Sequence, residues 1–522
     1  MFAQEESTPW YRTTMGLVLS SVLLPPLGLA VLWNRREMAL VKKVLISLGI
    51  VAFGAVYLYA IFGVMKRGGS GDHEDQYTAL ERHRAEQQQQ QQSQNGAAAP
   101  AGTDQAAAAN PAQQNAAGVA QESANSVNMS HGGEAKAARN YWTDFRGPNR
   151  DGRYEEKDVQ TKWPEKGLQQ IWKQPIGIGY ASFVVADGRA YTIEQRRAQE
   201  VVAAYDVATG RELWTQGWSA EFKDDTGDGP RATPTWSDGK LYAVGATGEM
   251  RCLDASNGKV LWAKNILSDN GAGNIPWGVA ASPLIVDDKV VVMAGGSGNK
   301  SIVAYNKQTG APVWKSQSDE SSYTSPMLVT LAGRRQILAV TASRALGLAP
   351  EDGSLIWETE WRNSAGINVS QPIIVDKNRV FLSAGYGKGA ALVEVTGSGK
   401  TLAARKVWEN GSMKNKFNSS VLHNGHVYGL DEGILTCLDV NTGERKWKGG
   451  RYGYGQVLLA SGHLVIIADN GELALVRAAP DQYSEISRFA ALSGRSWNVP
   501  AIADGRLLVR NASEMAAFNL AQ

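Results

Sequence analysis

One phrase returns through the last two-thirds of the chain and leaves few folds open to it. It reads Ala-Tyr-Asp-Val-Ala-Thr-Gly-Arg-Glu-Leu-Trp at 204–214, Cys-Leu-Asp-Ala-Ser-Asn-Gly-Lys-Val-Leu-Trp at 252–262 and Ala-Tyr-Asn-Lys-Gln-Thr-Gly-Ala-Pro-Val-Trp at 304–314. It returns as Leu-Ala-Pro-Glu-Asp-Gly-Ser-Leu-Ile-Trp at 348–357 and Cys-Leu-Asp-Val-Asn-Thr-Gly-Glu-Arg-Lys-Trp at 437–447, with looser copies ending at Trp408 and Phe489. Together with Trp172 the aromatic ends of the phrase (Trp172, Trp214, Trp262, Trp314, Trp357, Trp408, Trp447 and Phe489) recur roughly every 45 residues, the period of propeller blades.

The chemistry inside one unit agrees with that period. Asp-x-x-Thr-Gly is a tight turn in which glycine supplies the positive φ, and the tryptophan then ends an outer strand. Earlier in the unit a second hairpin turns at Asp238-Gly239, Asp287-Asp288, Asn424-Gly425 and Asp504-Gly505, each followed by an apolar strand. Two hairpins make one four-stranded antiparallel blade. A last unit from Trp497 to Leu520 offers strands at 499–503, 506–510 and 514–519 but no fourth. Residues 168–173 are placed to supply it, closing the ring and removing the exposed sheet edges. The pattern predicts an all-β, eight-bladed propeller over 141–522.

The N-terminal part follows other rules. Residues 14–33 and 44–65 carry no charge, and each run is long enough to cross a hydrocarbon core of about 30 Å as a helix. Pro25 and Pro26 predict a kink in the first span. Glu5 and Glu6, in place of a basic leader, argue against a cleaved signal peptide. Arg35, Arg36, Lys42 and Lys43 in the connecting loop put that loop in the cytoplasm and both chain ends outside. Residues 1–67 thus read as an anchor in the inner (cytoplasmic) membrane with a periplasmic propeller. Residues 68–140 collapse into Ala, Gln, Asn, Gly and Ser, a composition that cannot bury enough surface to offset chain entropy. They read as a disordered linker that leaves the propeller undocked, with at most a short helix around 77–92.

The repeat ending Asp-x-x-Thr-Gly-x-x-x-Trp resembles the PQQ-type (pyrroloquinoline-quinone) propeller repeat. Quinoprotein alcohol dehydrogenases and the outer-membrane assembly factor BamB share that repeat. Asp144-Phe-Arg-Gly-Pro-Asn-Arg-Asp-Gly152, Gly227-Asp-Gly-Pro-Arg231 and Gly450-Arg-Tyr-Gly453 also resemble PQQ-like propeller proteins of environmental bacteria. The resemblance implies one of two functions. One is a membrane-anchored, non-catalytic scaffold or ligand- and protein-binding module that needs no cofactor. The alternative is a PQQ- and Ca²⁺-dependent alcohol or sugar dehydrogenase.

Residue chemistry favours the first. The dehydrogenases usually stack an adjacent cysteine pair on the quinone, whereas the two cysteines here, Cys252 and Cys437, fall at the same position of different blades and read as buried thiols. Asp224-Asp-Thr-Gly-Asp-Gly229 lacks the glutamate of a calcium loop and reads as an acidic turn. His423 and His426 flank a hairpin turn, and no metal site is expected. Gly385-Tyr-Gly-Lys-Gly389 is not followed by a helical pattern, which excludes a dinucleotide loop. With 53 basic against 51 acidic residues there is no electrostatic reason for nucleic acid. The segments ahead of the inner strands gather at one mouth of the channel and offer Arg231, Trp277, Tyr323, Asn368, Lys416, Arg451, Tyr452 and Trp497. Arginine among aromatic rings suits an anionic, sugar-like or peptide ligand.

Overall fold

The computed structural model describes residues 29, 32–33, 39–51, 73–97 and 141–522. They belong to two compact units, Met1–His73 with Lys223–Gly227, and Glu74–Phe222 with Asp228–Gln522. In the first unit, residues 40–51 are helical and Trp33 Nε1 donates to Ser47 Oγ at 3.0 Å. Leu40, Val41, Leu45, Leu48 and Val51 are exposed on that helix. Most of the two uncharged runs lies outside the described residues, as do 98–140 of the linker. Among the described residues no helix is long and apolar enough to cross a membrane.

The second unit holds eight sheets, blades 1 to 8 in chain order, each four-stranded and antiparallel, with blade 7 gaining a fifth, parallel strand from Arg153–Tyr154. Blade 1 is Val184–Ala186, Arg189–Arg196, Gln199–Asp206 and Glu212–Ser219. Blade 8 takes three strands from the C-terminus, Ala501–Ala503, Arg506–Arg510 and Glu514–Asn519, and a fourth, Gln170–Pro175, from the N-terminal side. The ring therefore closes as the unit count requires, with a strand two residues later than 168–173. The inner hairpins turn on paired positive φ at Asp238 (50°) and Gly239 (72°), and likewise at Asn424-Gly425 and Asp504-Gly505. Positive φ at both central residues gives a two-residue turn whose twist matches that of the flanking strands. Middle strands are buried on both faces because a blade lies on either side, as in Gln199–Asp206. Outer strands such as Ala403–Asn410 alternate in exposure.

The repeated phrase is a seam between blades. The indole N–H of Trp172 donates to the carbonyl of Val207 at 2.9 Å, Trp214 to Ala255 at 3.2 Å, and Trp262 to Lys307 at 3.1 Å. Trp314 reaches Pro350 at 3.1 Å, Trp408 reaches Val440 at 3.0 Å and Trp447 reaches Ala479 at 2.8 Å. Each acceptor lies in the following blade. In five of these six seams the turn glycine of that blade rests on the same ring, Trp447 being the exception. A Cβ on Gly258 would come within 2.5 Å of Trp214, and one on Gly310 within 2.9 Å of Trp262. Glycine is needed there twice, for its φ of 71° at Gly310 and for the ring beneath it.

Two seams differ. Trp357 donates to Gln336 Oε1 of its own blade. In blade 7 the register position of the tryptophan is Ser487, opposite Leu475. Phe489 instead lies beneath Gly167, with Trp163 and Phe518 at 5.8 and 5.5 Å.

The linker reading needs correction. Glu74–Ala97 is a 24-residue helix, longer than the short one expected, and it packs on the propeller. Its only large apolar residues are Tyr77 and Leu80; the rest of its contacts are polar, and composition does not reveal those.

The double role of the turn glycine is testable by urea denaturation. Gly239→Ala, with open space at its Cβ, should cost about 1 kcal/mol for its positive φ alone. Gly310→Ala should cost about 2–4 kcal/mol, the excess coming from overpacking against Trp262. Equal losses would mean that the ring contact contributes nothing.

Candidate functional site

The loops ahead of the inner strands are tied from blade to blade by short polar side chains. The backbone N–H of Ser182 donates to Thr233 Oγ1 at 2.9 Å, Ser282 N–H to Ser325 Oγ at 2.9 Å, and Ser325 N–H to Gln371 Oε1 at 2.8 Å. Gln371 N–H donates to Ser419 Oγ at 3.0 Å. Gln456 Nε2 bridges the carbonyls of Phe417 and Trp497 at 2.9 and 2.8 Å. Backbone groups that a loop would leave unmade are thus met by the neighbouring blade.

On this ring stands an aromatic cluster. Phe417 lies at its centre, with ring centroids 5.0 Å from Tyr454, 5.2 Å from Trp497 and 5.6 Å from Trp277. Tyr323 stacks on Trp277 at 5.1 Å and Tyr180 on Trp497 at 5.9 Å. Cations border it. Lys416 Nζ sits 5.1 Å from Tyr454, 5.3 Å from Tyr386 and 5.5 Å from Phe417. Arg231 lies 5.3 Å over Tyr180 and 4.8 Å over Phe222, and Arg495 lies 4.8 Å over Trp497. These distances are in cation–π range.

Of the residues read from the sequence, Arg231, Trp277, Tyr323, Lys416 and Trp497 converge on this cluster. Three do not. Asn368 is 1% exposed and spends its amide on the carbonyls of Thr341 and Trp361 at 2.7 and 3.1 Å. Tyr452 is 1% exposed and bonds Tyr483 at 2.9 Å beneath the Arg488 guanidinium. Arg451 is exposed at the end of the outer strand of blade 6. Phe417, Tyr454, Tyr180, Tyr386 and Arg495 were missed. Each lies in a segment ahead of an inner strand or beside a residue already singled out, and that position was the available signal.

Below the mouth the channel is crossed by residues 141–154. The carbonyl of Trp142 accepts from Val185 N–H at 2.7 Å in blade 1, and that of Thr143 from Trp236 N–H at 2.9 Å in blade 2. Arg150, 2% exposed, donates to the carbonyls of Ser282 at 3.2 Å and Pro326 at 2.8 Å in blades 3 and 4, and pairs with Asp144 at 2.8 Å. Arg146, 1% exposed, reaches across to the carbonyls of Ser420 at 3.1 Å and Val457 at 3.4 Å in blades 6 and 7. Arg153–Tyr154 then pairs in parallel with Leu459 and Ala460. Burial pushes the Arg146 guanidinium down to about 10, which leaves it charged at neutral pH. A segment bonded to six blades is a plug, and the mouth above it is a floored cup. Asn418 and Asn498, directly after Phe417 and Trp497, each keep one buried amide atom without a protein partner.

The other motifs resolve as structure. Cys252 and Cys437 are free, buried thiols pushed up to about 11 and about 12 by burial, each beside a tyrosine of its own blade. Asp224 accepts from Thr226 N–H at 2.8 Å in a local turn. His423 and His426 pair across the Asn424-Gly425 hairpin, and Gly389 opens a strand. Among the described residues no three His, Cys, Asp or Glu side chains gather to hold a metal.

A family profile described as outer membrane protein assembly factor BamB matches residues 198–449. The chain is similar to BamB of Shewanella oneidensis, 34% identical over 116 residues, covering 21% of this chain and 26% of that protein. It is also similar to quinoprotein ethanol dehydrogenase of Pseudomonas aeruginosa, 29% identical over 157 residues, covering 27% of this chain and 25% of that one. These matches therefore span about a quarter of each relative. Among solved structures, quinohemoprotein alcohol dehydrogenase ADHIIG of Pseudomonas putida HK5 superposes with a TM-score of 0.52 at 13% identity, over 73% of this chain and 80% of that one, which is a likeness of fold. The propeller is PQQ-like in its repeat, as the Asp-x-x-Thr-Gly-x-x-x-Trp phrase implies.

One carboxylate near the mouth has a measurable signature. Glu200 is fully buried, accepts from Ala246 N–H at 2.7 Å and Trp218 Nε1 at 3.0 Å, and is pushed up to about 7 by burial, with Arg231 opposing weakly. Between the ordinary carboxyl range and pH 7 the folded chain holds a proton that the unfolded chain has released. Stability should therefore fall as pH rises through that window and stay low above it. Glu200→Gln should remove this slope, leaving the variant more stable at pH 8 by up to about 3 kcal/mol and nearly equal to the parent near pH 4.5. Parallel pH profiles of the denaturation midpoint would refute the assignment.

Proposed function

We propose that this chain is a non-catalytic binding or scaffold propeller, anchored in the inner membrane by its N-terminal runs and displayed on the periplasmic side. Its docking surface is the aromatic, cationic cup at the channel mouth. The observation that carries the reading is the cup itself. Rings from six blades meet in the cluster around Phe417, Lys416 and Arg231 supply positive charge, and the Arg146–Arg150 plug lies beneath. Flat rings with cations at their edges favour an anionic, sugar-like or peptide ligand that lies on the surface. The similarity to proteins named as outer membrane assembly factors supports a protein partner.

The relatives named as quinoprotein dehydrogenases raise the question of PQQ with Ca²⁺. Lys416 and Arg231 suit an anionic quinone, but the donor set for the cation does not fit. In the floor segment Asp144 is already paired with Arg150 and Asp151 accepts from Arg153 N–H at 3.1 Å, and the two cysteines stand in separate blades.

Titrating the full chain with PQQ and Ca²⁺ should give neither a cofactor absorbance change nor a shift in melting temperature. A stoichiometric, Ca²⁺-dependent complex that reduces a dye with alcohols or sugars would make the chain a dehydrogenase. Topology is read separately. Because both native thiols are buried, Lys377→Cys on the exposed inner hairpin of blade 5 supplies one accessible thiol. It should react with a membrane-impermeant maleimide in intact spheroplasts; labelling only after lysis would place the propeller in the cytoplasm.

A further inference from the structure

Helix Glu74–Ala97 lies across the one joint of the ring that the chain does not close locally. Its inward face is Gln76, Tyr77, Leu80, His83, Arg84 and Gln87, a helical spacing sustained over three turns, with Tyr77 9% and Leu80 4% exposed. Toward blade 8, Gln76 Nε2 donates to the carbonyl of Ala512, and His83 Nε2 and Gln87 Nε2 meet Gln174 Oε1 at 3.1 and 3.4 Å. Toward blade 1, Arg84 pairs with Glu212 at 2.8 Å, and Gln87 Oε1 accepts from Glu212 N–H at 3.3 Å. Arg197, on the turn between the second and third strands of blade 1, pairs with Glu74 at 2.6 Å and Glu81 at 3.0 Å. Its guanidinium lies 5.6 Å over the Tyr77 ring. Gln174 also donates to the carbonyl of Gly210, so one side chain joins helix, closing strand and the first blade.

In seven blades a short turn delivers the outer strand to its neighbour. In blade 8, Gln170–Pro175 must find Glu514–Asn519 from the far end of the chain, which closes a loop of several hundred residues. That makes it the joint with the largest entropic cost and the first expected to open. We propose that the helix is a latch on this joint, whose docking holds the closing strand against both blade 8 and blade 1. Exposed ion pairs are individually weak, but Arg197 is held by two carboxylates and a ring face at once, and the helix has no apolar stripe that would fix it otherwise.

Hydrogen exchange on the full chain tests this. In the parent protein, amides of 77–87 and 170–175 should be protected together. Arg197→Glu should speed exchange in both segments by about tenfold or more and leave 334–340 of blade 4 unchanged. Combining it with Glu74→Arg and Glu81→Arg should restore protection. Helix amides that exchange like a free peptide in the parent would overturn the proposal. So would a variant that frees the helix while 170–175 stays as protected as before.

Discussion

Six of the eight seams are held by an indole N–H aimed at the neighbouring blade's carbonyl, five of them over a turn glycine too small to push the ring away. The rest of the molecule hangs on that contact. A tryptophan covers a large apolar area, and its single polar atom must be bonded once water is excluded. The seam therefore has a defined geometry as well as a driving force, because only one rotation of the next blade brings Val207, Ala255, Lys307 or Pro350 to the donor. Where the contact is absent, another takes its place: Trp357 turns to Gln336, and Phe489 slides beneath Gly167.

With the seams set, the two ends of the channel become different surfaces. One carries short left-handed hairpin turns with little room to vary. The other carries the longer segments ahead of the inner strands, locked to each other by Ser, Thr, Asn and Gln. Rigid polar ties beneath and variable aromatic residues above are what a recognition surface needs, since side chains are held without being prescribed by the repeat. The plug completes it. Arg146 and Arg150 give their donors to backbone carbonyls of opposing blades, so charge is buried without a conduit being left open. The same two arginines brace blades far apart in the chain, which ties the stiffness of the cup to the integrity of the ring.

Ionisable groups at this surface are engaged by rings and backbone donors. Lys416, Arg231 and Arg495 face ring systems, whereas Glu200, a buried carboxylate of raised proton affinity, is engaged by a backbone amide and an indole.

The blade count, the four-stranded blade, the inner turns and closure by a strand from the N-terminal side were all legible in the order of residues. Each rests on a local rule: Asn-Gly or Asp-Gly can bend only one way, and Thr-Gly followed by tryptophan encodes turn and seam together. Half of the mouth was legible for the same reason, because Lys416, Trp277 and Trp497 stand just ahead of recognisable strands. Tertiary structure alone decided that Phe417 faces the cluster while Tyr452 is buried beneath Arg488, a difference that no spacing reports. It alone decided that 141–154 crosses the channel, since the acceptors of Arg146 lie in blades 6 and 7. It also decided that a glutamine-rich helix docks, through partners on Gln174, Arg197 and Glu212. Hydrophobic pattern records what a residue must avoid, which is water, and so a sequence shows it. A buried arginine or a docked glutamine is fixed by where its partner is, and only the fold supplies that.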